Sequence, residues 1–248
     1  MSKDARTEKR IPVVGIGASA GGIEPLQTLF GNLNPSLGAA YVVIVHLDPG
    51  HSSELARLLS NHTTMKVTQV TEEMHIEPNA VYVIAPDRRL LISDNTIAAT
   101  PFDEPRGRRA PIDLFFRSLA EQHGDGFAIV LSGGGSDGAL GVRAVRENGG
   151  IILVQDPDEA EFASMPRNAI ASGADFVLPV AQLARQLAIL IATKPQVALQ
   201  RIEEGNEENL RRILAYLRLK TGQDFSRYKR GTLLRRLTRR MQVAQTER

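Results

Sequence analysis

The chain has 248 residues, 42% apolar and 23% charged, ordinary proportions for a globular protein large enough to bury a sizeable core. It contains no cysteine, which excludes disulfides, thiolate metal sites and a cysteine nucleophile, and which fits a reducing compartment. The net charge of +2 is spread unevenly: residues 1–195 carry 17 Lys and Arg against 22 Asp and Glu, whereas residues 196–248 carry 13 against 6.

An acidic body with a basic tail predicts two units with different partners. The opening MSKDARTEKR is charged and lacks the apolar core of a signal peptide. The stretch AQLARQLAILIAT (181–193) is interrupted by Arg185 and Gln186 and falls short of a membrane span. The expectation is a cytoplasmic protein with no direct membrane insertion.

Along the chain, short Val- and Ile-rich runs alternate with amphipathic stretches. Strands are predicted at 12–17, 41–46, 80–86, 127–132, 150–155 and 175–179, and helices at 22–31, 53–61, 111–122, 138–148 and 181–193. Unbroken apolar strands followed by helices imply an α/β fold, doubly wound, with a mostly parallel sheet and helices on both faces. Residues 63–100 break this rhythm: VYVIAP, RRLLIS and NTIAAT are short and turn-separated, and predict an antiparallel hairpin appended to the sheet. PFDEPRGRRA (101–110) reads as a surface loop, its Arg106, Arg108 and Arg109 either solvated or meeting an acidic partner. After Pro195 the strand-like runs stop and a C-terminal helical segment is predicted at 207–218 and 231–244. In its second helix Leu233, Leu234, Leu237 and Met241 recur at helical spacing, and Arg235, Arg236, Arg239 and Arg240 fall on the other side.

Open α/β sheets bind ligands at the carboxyl ends of their strands, so the residues just past each strand carry the functional reading. After the first strand comes Gly17-Ala18-Ser19-Ala20-Gly21, which fits the G-x-S-x-G nucleophile elbow. Gly15-Ile16-Gly17 equally fits a dinucleotide loop, in which Ala20 takes the third glycine position. Taken alone, the loop leaves phosphate binding and nucleophile both open. The acidic residue that dinucleotide binding requires about 20 residues further on is missing, and His46 stands at the end of that second strand. The third piece is Gly133-Gly134-Gly135-Ser136-Asp137-Gly138, with Asp137 where the next helix begins and an N-cap as its alternative role. Ser19, His46 and Asp137 supply a nucleophile, a base and a carboxylate from three strand ends. Their order differs from the Ser–Asp–His order of α/β-hydrolases.

These segments resemble the CheB-type chemotaxis methylesterases. GIGASAGGIEPL is similar to the family's serine motif, VIVHLDPGHSSELARLLS to its histidine segment and LSGGGSDGALGVRAVRENGG to its aspartate motif. EPNAVYVIAPDRRLLI, LFFRSLAEQHG, VQDPDEAEFASMPRNAI and ADFVLPV also fall in the family's order, and the resemblance spans roughly residues 11–180. The resemblance implies Ser19 as nucleophile, His46 as general base and Asp137 as the residue orienting it, with backbone N–H groups near Ala20 and Gly134 forming the oxyanion hole. It implies hydrolysis of glutamate 5-methyl esters on methyl-accepting chemoreceptor-type proteins, with deamidation of receptor glutamines as a second activity and no cofactor. The chain departs from the family at Gly134 (usually Met), Val45 (usually Gln) and Ala20 (commonly Thr).

The tail, through TGQDFSRYKRGTLLRRLTRRM, resembles the N-terminal helical domain of CheR-type receptor methyltransferases. By that resemblance Arg235, Arg236, Arg239 and Arg240 approach an acidic receptor. The expected organisation is a methylesterase domain over 11–195, then a linker and the incomplete start of a CheR-type domain over 196–248, a piece of a CheB–CheR fusion without a receiver domain and without methyltransferase activity of its own. Two other readings stand beside the enzyme: a receptor-docking module with weak or no activity, and a nucleotide-binding domain. His51, His62, His75 and His123 lack metal-ligand spacing, so no metal is expected. Asp48, Asp113, Asp156 and Asp158 read as turn or cap residues, with lining the crevice as the alternative for Asp156, which lies past a strand; Phe115 and Phe116 read as core. The tail's few aromatics favour an acidic protein over nucleic acid.

Overall fold

Strand β1 (Val13–Ala18) is buried at every residue and lies at the centre of a seven-stranded parallel sheet. The other strands are β2 (Ala40–Val45), β3 (Lys66–Val70), β5 (Ala80–Ile84), β8 (Phe127–Val130), β9 (Ile151–Gln155) and β10 (Phe176–Leu178). Their spatial order is β10-β9-β8-β1-β2-β5-β3, and every pairing is parallel. Complete burial of β1, β2, β5, β8 and β9 means that both sheet faces are covered, which is why these segments are unbroken apolar runs. The covering helices are α1 (Ile23–Asn32), α2 (Leu55–Ser60), α3 (Pro111–Gln122), α4 (Ala139–Glu147), α5 (Ser164–Gly173) and α6 (Val180–Thr193). The computed structural model describes residues 10–47, 53–105, 108–193, 207–225 and 228–244.

The predicted α/β class is observed, with one rearrangement. Ala80–Ile84 belongs to the main sheet between β2 and β3, and the antiparallel hairpin is formed by β6 (Arg88–Ser93) and β7 (Thr96–Pro101). These two join β4 (Met74–His75) in a separate three-stranded sheet. Strand β3 escapes the sequence pattern because it is an edge strand, exposed at Lys66 and half-buried at Thr68 and Gln69, so it needs no apolar run.

Helix α3 packs across β1, and the closeness of that packing explains two glycines. A Cβ at Gly15 would lie 2.9 Å from the Phe116 ring and 3.0 Å from Phe115, and one at Gly17 would lie 2.5 Å from Ile112 Cγ2. The Gly15-Ile16-Gly17 pattern thus serves helix–sheet contact, which removes the main support for a dinucleotide loop. Phe115 and Phe116 are fully buried core residues, as the helical pattern implied.

The chain divides into two compact units, Met1–Ala192 and Thr193–Arg248. The second contains α7 (Glu207–Thr221) and α8 (Arg230–Val243). In α8, Leu233 and Leu234 are buried and Leu237 is half-buried, while Met241 is exposed, so the apolar stripe is shorter than its sequence spacing suggested. Arg235, Arg236 and Arg240 are exposed and Arg239 is partly so. Among the described residues no helix is long and apolar enough to cross a membrane.

Candidate active site

The sheet has its switch point between β1 and β8: from β1 the chain winds toward β2 on one side and returns through β8 on the other. In such sheets the crevice lies outside the carboxyl ends at that point. Ser19 is the first residue after β1, His46 the first after β2, and Asp137 sits in the loop following β8. All three sequence-predicted residues meet there. His46 Nδ1 lies 2.9 Å from Ser19 Oγ, and His46 Nε2 lies 2.9 Å from Asp137 Oδ2. The imidazole is turned over relative to the serine-protease template, in which Nε2 faces the serine. Either ring nitrogen can act as base; what matters is that one faces the alcohol and the other the carboxylate.

Ser19 is held from below. Its amide donates to the Ser132 carbonyl (3.0 Å), and its own carbonyl accepts from Gly22 N (2.9 Å), closing a turn through Gly21, which has φ 66°. The sharp turn sets the hydroxyl at the sheet edge, as an elbow requires, although helix α1 begins only at Ile23. Buried Ser132 ties the surroundings together: its Oγ donates to the Ala20 carbonyl (3.0 Å) and accepts from Phe162 N (3.0 Å), and its N–H donates to the buried Gln155 side chain (2.8 Å).

Asp137 is not the cap of the helix that follows it. Gly138, with φ 94°, occupies the N-cap of α4 and offers no side chain. Asp137 instead caps α3: Oδ2 accepts from Ile112 N (3.1 Å) and Oδ1 from Asp113 N (2.9 Å). These are two of the amides that a helix start leaves unsatisfied, behind Pro111, which has no N–H to give. Both carboxylate oxygens are thus engaged at the start of α3, and the Asp137 side chain is 10% exposed against 36% for His46. Asp113 returns the contact, its Oδ1 accepting from Gly141 N in the first turn of α4 (2.7 Å). Each helix is therefore capped by a carboxylate from the other's start. The sequence does not reveal this exchange, because it joins residues 24 to 28 positions apart.

Burial raises the Asp113 carboxyl above the usual carboxylate range; the Gly141 amide opposes this and the charge on Asp137 adds to it. The folded state thus keeps this proton at pH values where the unfolded chain, near pKa ~3.9, has lost it. Its contribution to stability falls as pH rises from about 4 through the folded-state pKa. Asp113→Asn keeps an acceptor for Gly141, and we expect it to lessen the loss of Tm over that range. Asp113→Ala should cost about 1 kcal/mol, as capping residues do. Melting curves across pH check both.

The Ala20 and Gly134 amides donate to no other group among the described residues, and both positions are exposed beside Ser19 and the glycine loop. The two neighbouring glycines differ sharply. A Cβ at Gly134 would meet nothing within 4 Å, so no steric demand explains glycine there. A Cβ at Gly133 would overlap the Met165 sulfur and lie 3.0 Å from Ser19 Cβ. Gly134→Ala should leave turnover within about threefold of the parent, whereas Gly133→Ala should lower it by about 10²-fold through a displaced nucleophile; steady-state kinetics on the two variants checks this.

The remaining candidates do not join the site. His123 is buried, its Nε2 2.6 Å from the Asp94 carbonyl, and His75 Nδ1 lies 3.3 Å from Thr96 Oγ1. Asp156 Oδ1 accepts from Asp158 N (3.0 Å), a turn role. His51, Asp48 and Arg106 lie outside the described residues. Val45 is buried at the end of β2 and lines a cavity next to His46. Arg109 is not a solvated loop residue: it is ion-paired with Asp87, and its guanidinium lies 4.6 Å from the Phe102 ring centroid.

Fold and site together define a hydrolase of the serine carboxylesterase type. Comparison with known proteins agrees. The family model for CheB methylesterase matches residues 14–187, and that for the all-alpha domain of CheR methyltransferase matches residues 208–248. A Leptospira interrogans protein named for protein-glutamate methylesterase and protein-glutamine glutaminase is 36% identical over 172 residues, covering 68% of this chain and 89% of that one. A protein-glutamate methylesterase/protein-glutamine glutaminase of Burkholderia orbicola is 34% identical over 197 residues, and there the match spans only 56% of the relative's length. The crystal structure of the Thermotoga maritima CheB methylesterase catalytic domain superposes with a TM-score of 0.67 at 28% identity, covering 73% of this chain and 98% of that one. The chain belongs to the CheB methylesterase family, and a segment similar to the CheR all-alpha domain follows.

Proposed function

We propose that Ser19, His46 and Asp137 hydrolyse 5-methyl esters of glutamate side chains on a methyl-accepting chemoreceptor-type protein, leaving glutamate and releasing methanol. The observation that carries the reading is the continuous hydrogen-bonded chain from Ser19 Oγ through both ring nitrogens to Asp137 Oδ2 at the sheet's switch point. With Asp137 accepting from Nε2–H, Nδ1 is free to accept the serine proton. As that proton leaves, Oγ bonds to the ester carbon, and the Ala20 and Gly134 amides receive the developing oxyanion. Asp137 stabilises the imidazolium, which then protonates the departing methoxide. Water, deprotonated by the same nitrogen, cleaves the acyl-serine and frees the glutamate. Replacing methanol by ammonia as the leaving group gives glutamine deamidation by the same steps. No cofactor enters this chemistry.

On this reading residues 11–195 form the esterase domain, and residues 196–248 a linker and the beginning of a CheR-type domain. The exposed Arg235, Arg236 and Arg240, with Arg239, offer charge for an acidic receptor segment in the cytoplasm. The test is labelling by a fluorophosphonate, followed by peptide mapping. Modification of Ser19 in folded protein, lost after heat unfolding, is the expected result. An unlabelled Ser19 in folded protein overturns the esterase and leaves a docking module.

A further inference from the structure

Beside the triad, at the carboxyl ends of β2 and β5, a cavity of about 200 Å³ takes part of its wall from His46 itself. This is below the roughly 300–1,000 Å³ of sites that enclose a whole small molecule, and suits a single side chain. Ala85, Phe102 and Pro111 make it apolar, and Asp87, Arg88 and Arg109 supply its charge.

The two arginines are held differently. Arg109 is 20% exposed and fixed on three sides: an ion pair with Asp87, a bond from Nε to the Glu104 carbonyl (3.2 Å), and the Phe102 ring. Arg88 bonds only to the Asp87 main-chain carbonyl (3.2 Å), and no carboxylate pairs with it among the described residues. One aspartate against two arginines leaves the cavity with an excess positive charge. On the other flank of Ser19, toward β8 and β9, the Glu161 carboxylate packs against Gly21. The crevice is therefore polarised across the nucleophile, cationic beyond His46 and anionic beyond Gly21.

We infer that this cavity is the subsite for a carboxylate side chain that flanks the scissile ester in the substrate protein. Arg88 is the specificity-determining residue, and Arg109 is its fixed companion. An aliphatic stem lies against Ala85, Phe102 and Pro111 while its carboxylate meets the free guanidinium, whose fork geometry matches two carboxylate oxygens. Glu161 disfavours the reversed orientation, so the same charges set the direction in which the substrate lies over Ser19. The inference rests on the proposed esterase reading and deepens it by naming what the site selects.

Two synthetic peptides with one glutamyl 5-methyl ester each test it, one flanked on both sides by glutamates and the other by glutamines. Fluorescence anisotropy measures their binding to the full chain carrying Ser19→Ala, alone and combined with Arg88→Gln or Arg109→Lys, so that the result does not depend on turnover. We expect the acidic peptide to bind about tenfold tighter, as a charge-assisted contact permits. Arg88→Gln should shrink that preference to less than about twofold, through weaker binding of the acidic peptide, and Arg109→Lys should reduce it partly. Equal binding of the two peptides, absence of binding to both included, overturns the subsite, as does an equal loss for both in Arg88→Gln. Methanol release by the unsubstituted chain is measured alongside: no release with the binding preference intact removes the esterase reading and leaves the carboxylate subsite standing.

Discussion

Ser19→Ala is expected to lower kcat for methanol release from a methyl-esterified receptor by at least about 10³-fold, because the nucleophile of a triad cannot be replaced by its neighbours. The same substitution should move Tm by no more than about 1 °C. Among the described residues the Ser19 hydroxyl has one side-chain partner, His46, whose own side chain is 36% exposed, so water satisfies the imidazole when the hydroxyl is gone. The backbone bonds that hold the turn, from Ser19 N to Ser132 and from Gly22 N to Ser19, do not involve the side chain. Methanol assays and melting curves on one preparation decide the matter. More than a tenth of parental turnover in the variant rejects Ser19 as nucleophile.

Asp137→Ala should behave differently, because the proposed mechanism gives its carboxylate a second task besides capping α3. Loss of the partner at His46 Nε2 should reduce kcat by about 10³–10⁴-fold. Loss of the two amide bonds at the start of α3 should cost a further ~1–2 kcal/mol of stability, the usual range for a helix cap. Asp137→Asn separates the two effects. Its carbonyl oxygen can still accept from the Ile112 or Asp113 amide, so most of the stability should return. Activity should remain low, since the neutral amide cannot balance the imidazolium charge. Urea denaturation and methanol release together provide the readout. Unchanged stability in Asp137→Ala rejects the capping role, and near-parental turnover in Asp137→Asn rejects the charge-stabilising one.

The contrast between these two residues reflects where each is legible. Ser19 and His46 stand immediately after apolar strands, and strand ends are visible as breaks in local hydrophobic patterning. Asp137 is visible for the same reason, after a glycine run, but the sequence points to the wrong helix for its structural role. Nothing local distinguishes an aspartate that caps the next helix from one that caps a helix starting back at Pro111. Asp113 carries no more of a signal than its position near Pro111, which is that of any cap or turn residue. Arg109 has the look of a loop residue, because a Pro- and Arg-rich segment carries no sign that Asp87 and Phe102 will fold against one of its arginines.

By itself the sequence determined the class of fold, the positions of most strands and helices, and the three side chains that meet at the sheet's switch point. These follow from periodicity and from chemistry at element ends, which need only a few neighbouring residues. Tertiary structure alone decided that Ala80–Ile84 joins the main sheet, that the His46 ring presents Nδ1 to the serine, and that an arginine-lined cavity adjoins it. Each of these outcomes is a choice among partners 14 to 91 residues away. Such choices are made by packing, burial and hydrogen-bond satisfaction in three dimensions, for which the local pattern of the chain carries no record.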